Sequence, residues 1–307
     1  MDNPFAPWLH AGRTVILDGG LGTELERRGH RDLGRLWSSA LVETNPSALR
    51  EVHRDFLDAG ADVIATATYQ ASMPTLLECG HDRQSAAQVL RDAVQLAIDE
   101  RDAHARTALV AASIGPFGAH LADGSEYTGG YRLSEDDLYI FQSERWHTLA
   151  GTAADILACE TMPSMADVRA VVRLLHETPN RWAWISLMCR DASHLADGTP
   201  LSEAFAILND IPNLAAVGAN CIPPALAPAI METFRSSTSM PLMVYPNASN
   251  AWDVKLGQKP DELSAAEFAS ESASWKSHGA QIIGGCCKTT PEHVRALARS
   301  LKDQSCQ

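Results

Sequence analysis

The sequence alternates eight times between a short apolar run and a longer segment with helical periodicity. The apolar runs are rich in β-branched residues and almost continuous, which is typical of strands buried on both faces. They cover residues 15–20, 63–70, 108–115, 155–161, 182–189, 214–221, 241–248 and 280–287. The segments between them carry apolar residues on one face. In one of them, Leu49, Val52, Phe56 and Leu57 form a stripe that ends at Gly60.

This alternation favours one architecture. Strands separated by helices form parallel sheets, and eight repeats indicate a closed (β/α)8 TIM barrel. The length of 307 residues suits such a barrel with modest loop insertions. We therefore expect a single domain over residues 1–307, with a doubly wound open sheet as the competing architecture. The carboxyl ends of the strands then form one mouth, where barrels of this kind carry their active sites.

Composition excludes several kinds of partner. A formal net charge of −13 and a pI near 5.2 argue against nucleic-acid binding and favour a small-molecule or cationic partner. No run of about 18 apolar residues occurs, and the amino-terminal residues lack the pattern of an export signal. We expect a cytoplasmic protein without membrane contact, either a monomer or a small homo-oligomer. Seven scattered cysteines do not resemble a disulfide framework, so their thiols are expected to be reduced.

Reactive and polar side chains stand at the predicted strand ends. They are Asp18, Thr66, Thr68, Glu160, Cys221, Asn247, Cys286 and Cys287. The three thiols follow strands six and eight and would converge on one mouth. Clustered thiolates are zinc ligands, and three of them leave the fourth tetrahedral position open, as in catalytic sites. Such a centre is a poor Lewis acid for a carbonyl but suits deprotonation of an incoming thiol, which indicates thiolate alkylation.

Other interpretations of Cys286 and Cys287 compete with zinc. Adjacent cysteines at a strand end are often simply small buried residues. Gly284 and Gly285 before them fit a phosphate at a helix amino terminus, but thiolates beside a phosphate would be repulsive. A disulfide between sequence neighbours would be strained. Cys221 at the matching end of strand six favours zinc, and the two glycines then supply the bend that brings both sulfurs to one metal.

The remaining cysteines and histidines show no metal-ligand spacing. Cys79 follows a helical stretch, Cys159 and Cys189 lie inside predicted strands, and Cys306 lies near the end of the sequence. His293 falls in the first turn of the last predicted helix, where we expect an exposed side chain.

Two carboxylates are predicted beside the thiols. The stretch DGGLGTE contains part of a dinucleotide-binding fingerprint, but its glycine spacing is wrong. A tight turn is the simpler interpretation, in which Gly19 lets a ligand approach the backbone and Asp18 faces that ligand. Glu160 at the end of strand four adds a second carboxylate, and the pair suits an ammonium group. The long polar loop 115–133 is expected to be functional or mobile.

These residues together resemble the zinc-dependent homocysteine S-methyltransferases. The resemblance rests on LDGGLGTELERRG, LWSSAL, NPSALREVHRDFLDAGAD, VIATATYQAS, CETMPS, GANC and GGCC, in that order over nearly the whole chain. It implies a (β/α)8 barrel in which Cys221, Cys286 and Cys287 hold Zn2+ and the homocysteine thiol takes the open position.

The resemblance also implies how the substrates bind. Asp18 and Glu160 would hold the amino-acid end of homocysteine with help from the backbone at Gly19, and Thr66 would contribute a hydroxyl. Trp37 is the candidate aromatic face for a cationic methyl donor. Its alternative is an ordinary packed tryptophan.

Within that family the sequence is more similar to the S-methylmethionine-using branch. Gln70 stands where the betaine-using branch has an aromatic residue, and the sequence ends soon after the eighth helix. Thr161 stands where the betaine branch has a tyrosine that can bind zinc when substrate is absent. The identity of the fourth zinc ligand in the substrate-free enzyme therefore stays open. A sulfonium donor, S-methylmethionine or S-adenosylmethionine, is therefore expected. The alternatives are betaine as donor, selenocysteine as acceptor, and a barrel that only stores or senses zinc.

Overall fold

The structure is a computed structural model that describes residues 2–31, 33–249 and 262–302. Cys306, which the sequence analysis set aside, lies outside these ranges. None of the helices in the described ranges has the length and apolar content needed to cross a bilayer.

The described residues form eight parallel strands in one sheet. The strands are β1 (Val15–Ile16), β2 (Val63–Ala65), β3 (Leu109–Ile114), β4 (Ile156–Met162), β5 (Ala183–Leu187), β6 (Leu214–Asn220), β7 (Leu242–Tyr245) and β8 (Ala280–Ile283). Each strand pairs with the next, β8 pairs with β1, and one bridge between Leu17 and Val63 joins β1 to β2. The TIM barrel is confirmed, and the open doubly wound sheet is wrong.

Helices follow the strands and cover the outside of the barrel. The described ranges contain α1 (Ala6–His10), α2 (Leu21–Arg27), α3 (Leu41–Thr44), α4 (Pro46–Ala59), α5 (Met73–Glu78), α6 (Arg83–Ala103), α7 (Phe117–Leu121), α8 (Glu135–Ala150), α9 (Met165–Glu177), α10 (Leu201–Leu208), α11 (Ala227–Ser237), α12 (Ala265–Ser277) and α13 (Pro291–Lys302). Short 3-10 helices cover Gly34–Ala40, Ser125–Tyr127 and Pro224–Leu226.

Local sequence explains where these helices begin and end. In α4 the side chain of Asn45 accepts a hydrogen bond from Ala48, and the helix ends at Gly60 in a left-handed conformation with φ 109°. The apolar stripe predicted for this helix is buried against the sheet. Asp82 forms a capping box with Ser85 at the start of α6.

The amino-terminal end of the barrel is filled by aromatic side chains. Phe5 immediately precedes α1, and Trp8 lies within that helix. The ring centroid of Phe5 lies 6.1 Å from that of Trp184 on β5. Asn3 donates to the carbonyl of Ala215 at 2.8 Å and fixes this segment to β6. The barrel interior is therefore closed at this end, and its open space lies at the carboxyl ends of the strands.

The long loop over residues 115–133 is folded onto the barrel. It contains α7 and the 3-10 helix Ser125–Tyr127. The Nδ1 atom of His120 lies 2.7 Å from the Thr75 hydroxyl, and the Tyr131 hydroxyl donates to Asp167 Oδ2 at 2.7 Å. Contacts before and after the 3-10 helix thus hold that helix at the mouth of the barrel.

Candidate active site

A cavity of about 340 Å³ opens at the carboxyl ends of the strands. Every residue that the sequence analysis assigned to a site lines this cavity. These residues are Asp18, Gly19, Trp37, Thr66, Glu160, Cys221, Cys286 and Cys287.

Three cysteines meet on one wall of the cavity. The sulfurs of Cys221, Cys286 and Cys287 all lie within 4.8 Å of one another. Cys221 follows β6 and is buried, whereas Cys286 and Cys287 follow β8 and are half-buried. Three converging soft donors, with cavity space beside them, fit a tetrahedral metal site that keeps one position for a substrate.

The sulfurs of Cys221 and Cys286 are joined as a disulfide. This pair departs from the expectation that all thiols are reduced, because the barrel brings together two sulfurs that lie far apart in sequence. Cys287 remains a free thiol. A metal ligand must be a thiolate, so the disulfide and the metal-bound cluster are alternative forms of one site.

Hydrogen bonds fix the loop that carries Cys286 and Cys287. The backbone N–H of Cys286 donates to the carbonyl of Pro246 at 2.7 Å. The N–H of Cys287 donates to Asn247 Oδ1 at 3.1 Å. Asn247 was noted only as a polar residue at a strand end, and the structure makes it a support for the cysteine loop.

Gly284 and Gly285 are required by close packing. Neither has a left-handed backbone. A Cβ atom on Gly284 would lie 2.5 Å from Cβ of Leu17, and one on Gly285 would collide with the side chain of Thr289. The two glycines let the loop after β8 pack tightly on Leu17, just beyond β1, and on Thr289 within the same loop.

Two carboxyl groups lie in the depth of the cavity. Asp18 Oδ2 accepts a hydrogen bond from the N–H of Ala65 at 2.7 Å, and Glu160 Oε1 accepts one from Ser113 Oγ at 2.6 Å. Burial raises the pKa of Glu160 to about 7, while hydrogen bonds from Ser113 and Tyr245 lower it. Burial raises the pKa of Asp18 well above its usual range, and the charge of Glu160 adds to that rise. A bound cation would relieve both effects.

The Thr66 hydroxyl is part of a chain of hydrogen bonds in the barrel wall. Thr68 Oγ1 donates to the carbonyl of Ser113 at 2.7 Å, and the N–H of Ser113 donates to Thr66 Oγ1 at 3.1 Å. The two threonine hydroxyls lie 2.7 Å apart, so Thr66 donates its only proton to Thr68. Thr66 can therefore offer a ligand an acceptor lone pair but no proton.

The indole of Trp37 is oriented by contacts on two sides. Its Nε1 donates to Glu26 Oε1 at 2.7 Å, and the ring packs so closely on Gly22 that a Cβ atom there would collide with it. Trp37 is half-buried and lines the cavity, so it is not an ordinary core tryptophan.

Comparison with known proteins gives the family. The family profile described as homocysteine S-methyltransferase matches residues 15–301. Homocysteine S-methyltransferase YbgG of Bacillus subtilis (strain 168) is 38% identical over 98% of this chain and 99% of its own length. Homocysteine S-methyltransferase of Escherichia coli (strain K12) is 39% identical over 97% of this chain and 99% of its own length.

The chain belongs to the homocysteine S-methyltransferase family. Solved structures of the Escherichia coli homocysteine methyltransferase MmuM agree with this. Its metallated form has a TM-score of 0.88 and its oxidized form one of 0.89, both at 38% identity over 97% of this chain and 99% of the other.

In this family member the loop over 115–133 contributes two side chains that the sequence did not single out. Glu126 and Tyr127, both in its 3-10 helix, line the cavity. The Tyr127 hydroxyl hydrogen-bonds to the sulfur of Cys287. The sequence signal was weak, because it consisted only of an acid and an aromatic residue inside a long glycine-rich loop.

Asn220 is a further support that the sequence analysis missed. Its Oδ1 accepts from the N–H of Thr161 at 2.9 Å and from Ser186 Oγ at 2.8 Å. Its Nδ2 donates to Thr161 Oγ1 at 2.8 Å and lies 3.9 Å from the sulfur of Cys286. One amide therefore connects the ends of β4, β5 and β6 to the cysteine cluster.

Unusual backbone conformations concentrate around the cavity. Among the described residues, those other than glycine with positive φ are Trp37, Ala122, Thr161, Cys221 and Lys288. The first four line the cavity, and Lys288 follows Cys287. Each such conformation costs on the order of 1–3 kcal/mol, and such strain is found preferentially at functional sites.

The residues that the sequence analysis set aside lie away from the sulfur cluster. Cys79 is exposed, and Cys159 is buried in β4. Cys189 is also buried, but it lies just beyond β5 instead of inside it. The expected exposure of His293 is wrong, because its ring is buried against Phe268 and its Nε2 lies 3.0 Å from the carbonyl of Leu263.

Proposed function

We propose that this methyltransferase moves a methyl group from a sulfonium donor, foremost S-methylmethionine, to L-homocysteine and so forms methionine. We propose further that Cys221, Cys286 and Cys287 hold the metal as Zn2+. The observation that carries this proposal is the convergence of three sulfurs within 4.8 Å, in the same cavity as two buried carboxyl groups. The first feature suits a thiol substrate and the second suits its ammonium group.

Zinc held by three thiolates lowers the pKa of an added thiol and leaves its sulfur nucleophilic. The chain itself positions the substrate. Asp18 and Glu160 attract the ammonium group of homocysteine, and the hydroxyl oxygen of Thr66 accepts a hydrogen bond from that group. The backbone at Gly19 lies against the amino-acid end. Trp37 presents its indole to the positive charge of the donor.

The transfer step needs no further general base. The homocysteine thiolate attacks the methyl carbon, a new carbon–sulfur bond forms, and the carbon–sulfur bond to the donor breaks. The electron pair of the broken bond stays on the donor sulfur, which leaves as a neutral thioether. With S-methylmethionine as donor, both products are methionine. The cavity walls contribute by aligning the two sulfur centres and excluding water.

The cavity supports a small donor. A volume of about 340 Å³ suits homocysteine and a second ligand of amino-acid size better than homocysteine and a donor that carries a nucleoside. We therefore rank S-methylmethionine before S-adenosylmethionine. The proposal treats residues 1–307 as one domain that acts on small molecules in the cytoplasm, where reducing conditions favour the thiolate form of the cluster over the disulfide. It assigns the chain no nucleic-acid or membrane partner and a monomeric or small homo-oligomeric state.

One experiment tests the function. The reduced, zinc-loaded chain is given homocysteine with S-methylmethionine, S-adenosylmethionine or betaine in parallel, and zinc per chain is measured in the wild type and in Cys286→Ser. We expect turnover with S-methylmethionine, about one zinc per wild-type chain, and loss of both zinc and turnover in the variant. Cys79→Ser is the matched control and should match the wild type.

Three outcomes would change the assignment. Turnover by a wild-type chain without zinc would remove the metal from the mechanism. Preferred methylation of selenocysteine in direct competition would change the acceptor. Stoichiometric zinc without methyl transfer to either acceptor would leave a zinc-storing or zinc-sensing barrel.

A further inference from the structure

One acidic side chain in the cavity has no role in the proposed mechanism. Glu126 is only 6% exposed and lies in the 3-10 helix Ser125–Tyr127. Its Oε2 atom has no hydrogen-bond partner in the described part of the chain. A buried carboxylate oxygen without a partner is costly, and such groups in native proteins usually have a ligand or a functional role.

The backbone around Glu126 is fixed. A Cβ atom on Gly118 would lie 2.5 Å from Cα of Glu126, so α7 packs directly on this residue. The backbone N–H groups of Gly124 and Glu126 itself hydrogen-bond to the carboxyl group. These contacts hold the carboxyl group at the cavity wall.

Glu126 lies close to the reacting sulfur centre. Its neighbour Tyr127 hydrogen-bonds to the sulfur of Cys287. Glu126 and Cys287 line the same cavity. Burial raises the pKa of the Cys287 thiol, and the charge of the nearby Glu126 adds to that rise. Asp18 and Glu160 come from β1 and β4, whereas Glu126 comes from the loop after β3. The cavity therefore has one acidic group in addition to the pair already assigned to homocysteine.

The surroundings of Glu126 favour a positively charged ligand. In residues 2–31, 33–249 and 262–302, no Lys, Arg or His forms an ion pair with it. Burial raises the pKa of its carboxyl group to about 7, and the negative charge of Asp123 adds to the rise. The aromatic rings of Tyr69, Tyr127 and Trp37 line the same cavity. Aromatic faces with a carboxylate are a common way to bind sulfonium and quaternary ammonium groups.

We propose that Glu126 is the counter-ion of the sulfonium group of the methyl donor and sets the preference of the site for a cationic donor. This inference rests on the proposed function. The methyl donor must bring its sulfonium to a thiol bound at the cysteine cluster, so a carboxyl group that acts on Cys287 lies on the side of the cavity where the sulfonium reacts. The sulfonium loses its charge during transfer, so the carboxylate stabilises the bound donor at least as well as the transition state. Its contribution therefore falls mainly on KM.

The test compares a cationic ligand with a neutral one. Glu126→Gln keeps the shape of the side chain and removes its charge. We expect the KM for S-methylmethionine to rise about tenfold while kcat changes by less than about threefold. The KM for homocysteine and the zinc content should stay as in the wild type. Glu232→Gln is the matched control, because it makes the same change at an exposed residue of α11 that does not line the cavity, and it should leave all four quantities unchanged.

A binding measurement identifies which charge Glu126 faces. Methionine has the amino-acid end of S-methylmethionine but a neutral sulfur. In calorimetric titrations of the reduced, zinc-loaded chain without homocysteine, Glu126→Gln should weaken the binding of S-methylmethionine about tenfold and leave the binding of methionine unchanged. Equal weakening of both ligands, a rise in the KM for homocysteine instead, or unchanged binding of S-methylmethionine would each overturn the proposal.

A second variant tests the same proposal if Glu126→Gln does not fold. Glu126→Asp keeps the negative charge but moves it back by the length of one methylene group. It should weaken the binding of S-methylmethionine more than the binding of methionine. Equal effects on both ligands would again overturn the proposal. A wild-type chain that binds S-methylmethionine but transfers no methyl group would refute the proposed function, and the binding comparison would still decide the role of Glu126.

Discussion

The side chain of Asn247 accepts a hydrogen bond from the backbone N–H of Cys287, with 3.1 Å between nitrogen and Oδ1. Its Nδ2 also donates to the carbonyl of Cys221 at 3.1 Å. One amide therefore joins the loop after β6 to the loop after β8. The distance between two proposed metal ligands depends on a residue just beyond β7 that is not itself one of the proposed ligands, as is common for the outer shell of metal sites.

Asn247→Ala should weaken zinc binding about tenfold, because loss of an outer-shell partner typically costs 10–100-fold in metal affinity. Competition of the reduced chain with a chelator of known affinity measures the effect. Asn209→Ala is the control, since Asn209 donates to the carbonyl of Ser237 at 3.0 Å on the surface. Equal zinc affinities of the two variants would show that Asn247 does not support the cluster.

The affinity for homocysteine should fall in acid. The pKa of Glu160 is raised to about 7, so at pH 6 most free enzyme carries a neutral carboxyl group there. A neutral carboxyl group attracts an ammonium group weakly, and the KM for homocysteine should rise by up to about tenfold per pH unit below 7. Glu160→Gln should show a high KM that varies less with pH than that of the wild type, because only Asp18 then remains to titrate beside the ammonium group. A flat wild-type profile from pH 6 to 8, with zinc content unchanged, would contradict this role.

Glu160 should also lower the stability of the folded chain. The pKa of Glu160 in the folded chain is about 7, above the ordinary value of 4.5 for a glutamate, so ionising this carboxyl group in the fold costs free energy. That cost is fully present above pH 7 and disappears below about pH 4.5. Without substrate, Glu160→Gln should raise the free energy of unfolding by about 2 kcal/mol at pH 8 and change it little at pH 5. Urea unfolding at both pH values measures this. Glu51→Gln, on the exposed face of α4, should have no effect at either pH, and a less stable Glu160→Gln at pH 8 would refute the prediction.

Much of the fold and half of the site follow from the order of strands along the sequence. A parallel barrel places all carboxyl ends of its strands at one mouth, so locating the strand ends was enough to bring Cys221 together with Cys286 and Cys287. The same reasoning placed Asp18 and Glu160. These residues follow directly from strands, and their positions depend on the sheet alone.

The rest depends on contacts that the sequence pattern does not contain. Glu126 and Tyr127 reach the cavity because contacts of His120 and Tyr131 hold their loop, and both contacts are made with distant segments. His293 is buried for a similar reason, since Phe268 of α12 covers its ring. Helical position predicts one exposed face for a helix, but a neighbouring helix decides whether that face is covered.

Tyr127 should support metal binding through its hydrogen bond to Cys287. Burial raises the pKa of the Cys287 thiol to about 11, and the hydrogen bond from Tyr127 lowers it. Tyr127→Phe removes the lowering effect, so protons should compete better with the metal and zinc affinity at pH 7 should fall by about three- to tenfold. The pH at which half of the zinc is lost should rise correspondingly.

Cobalt substitution gives a second readout, because loss of the hydrogen bond should shift the thiolate-to-cobalt absorption band. Tyr139→Phe, which removes a phenol that donates to Glu177 at 2.9 Å, is the matched control. Unchanged zinc affinity and an unchanged cobalt spectrum in Tyr127→Phe would show that the hydrogen bond does not influence the metal site.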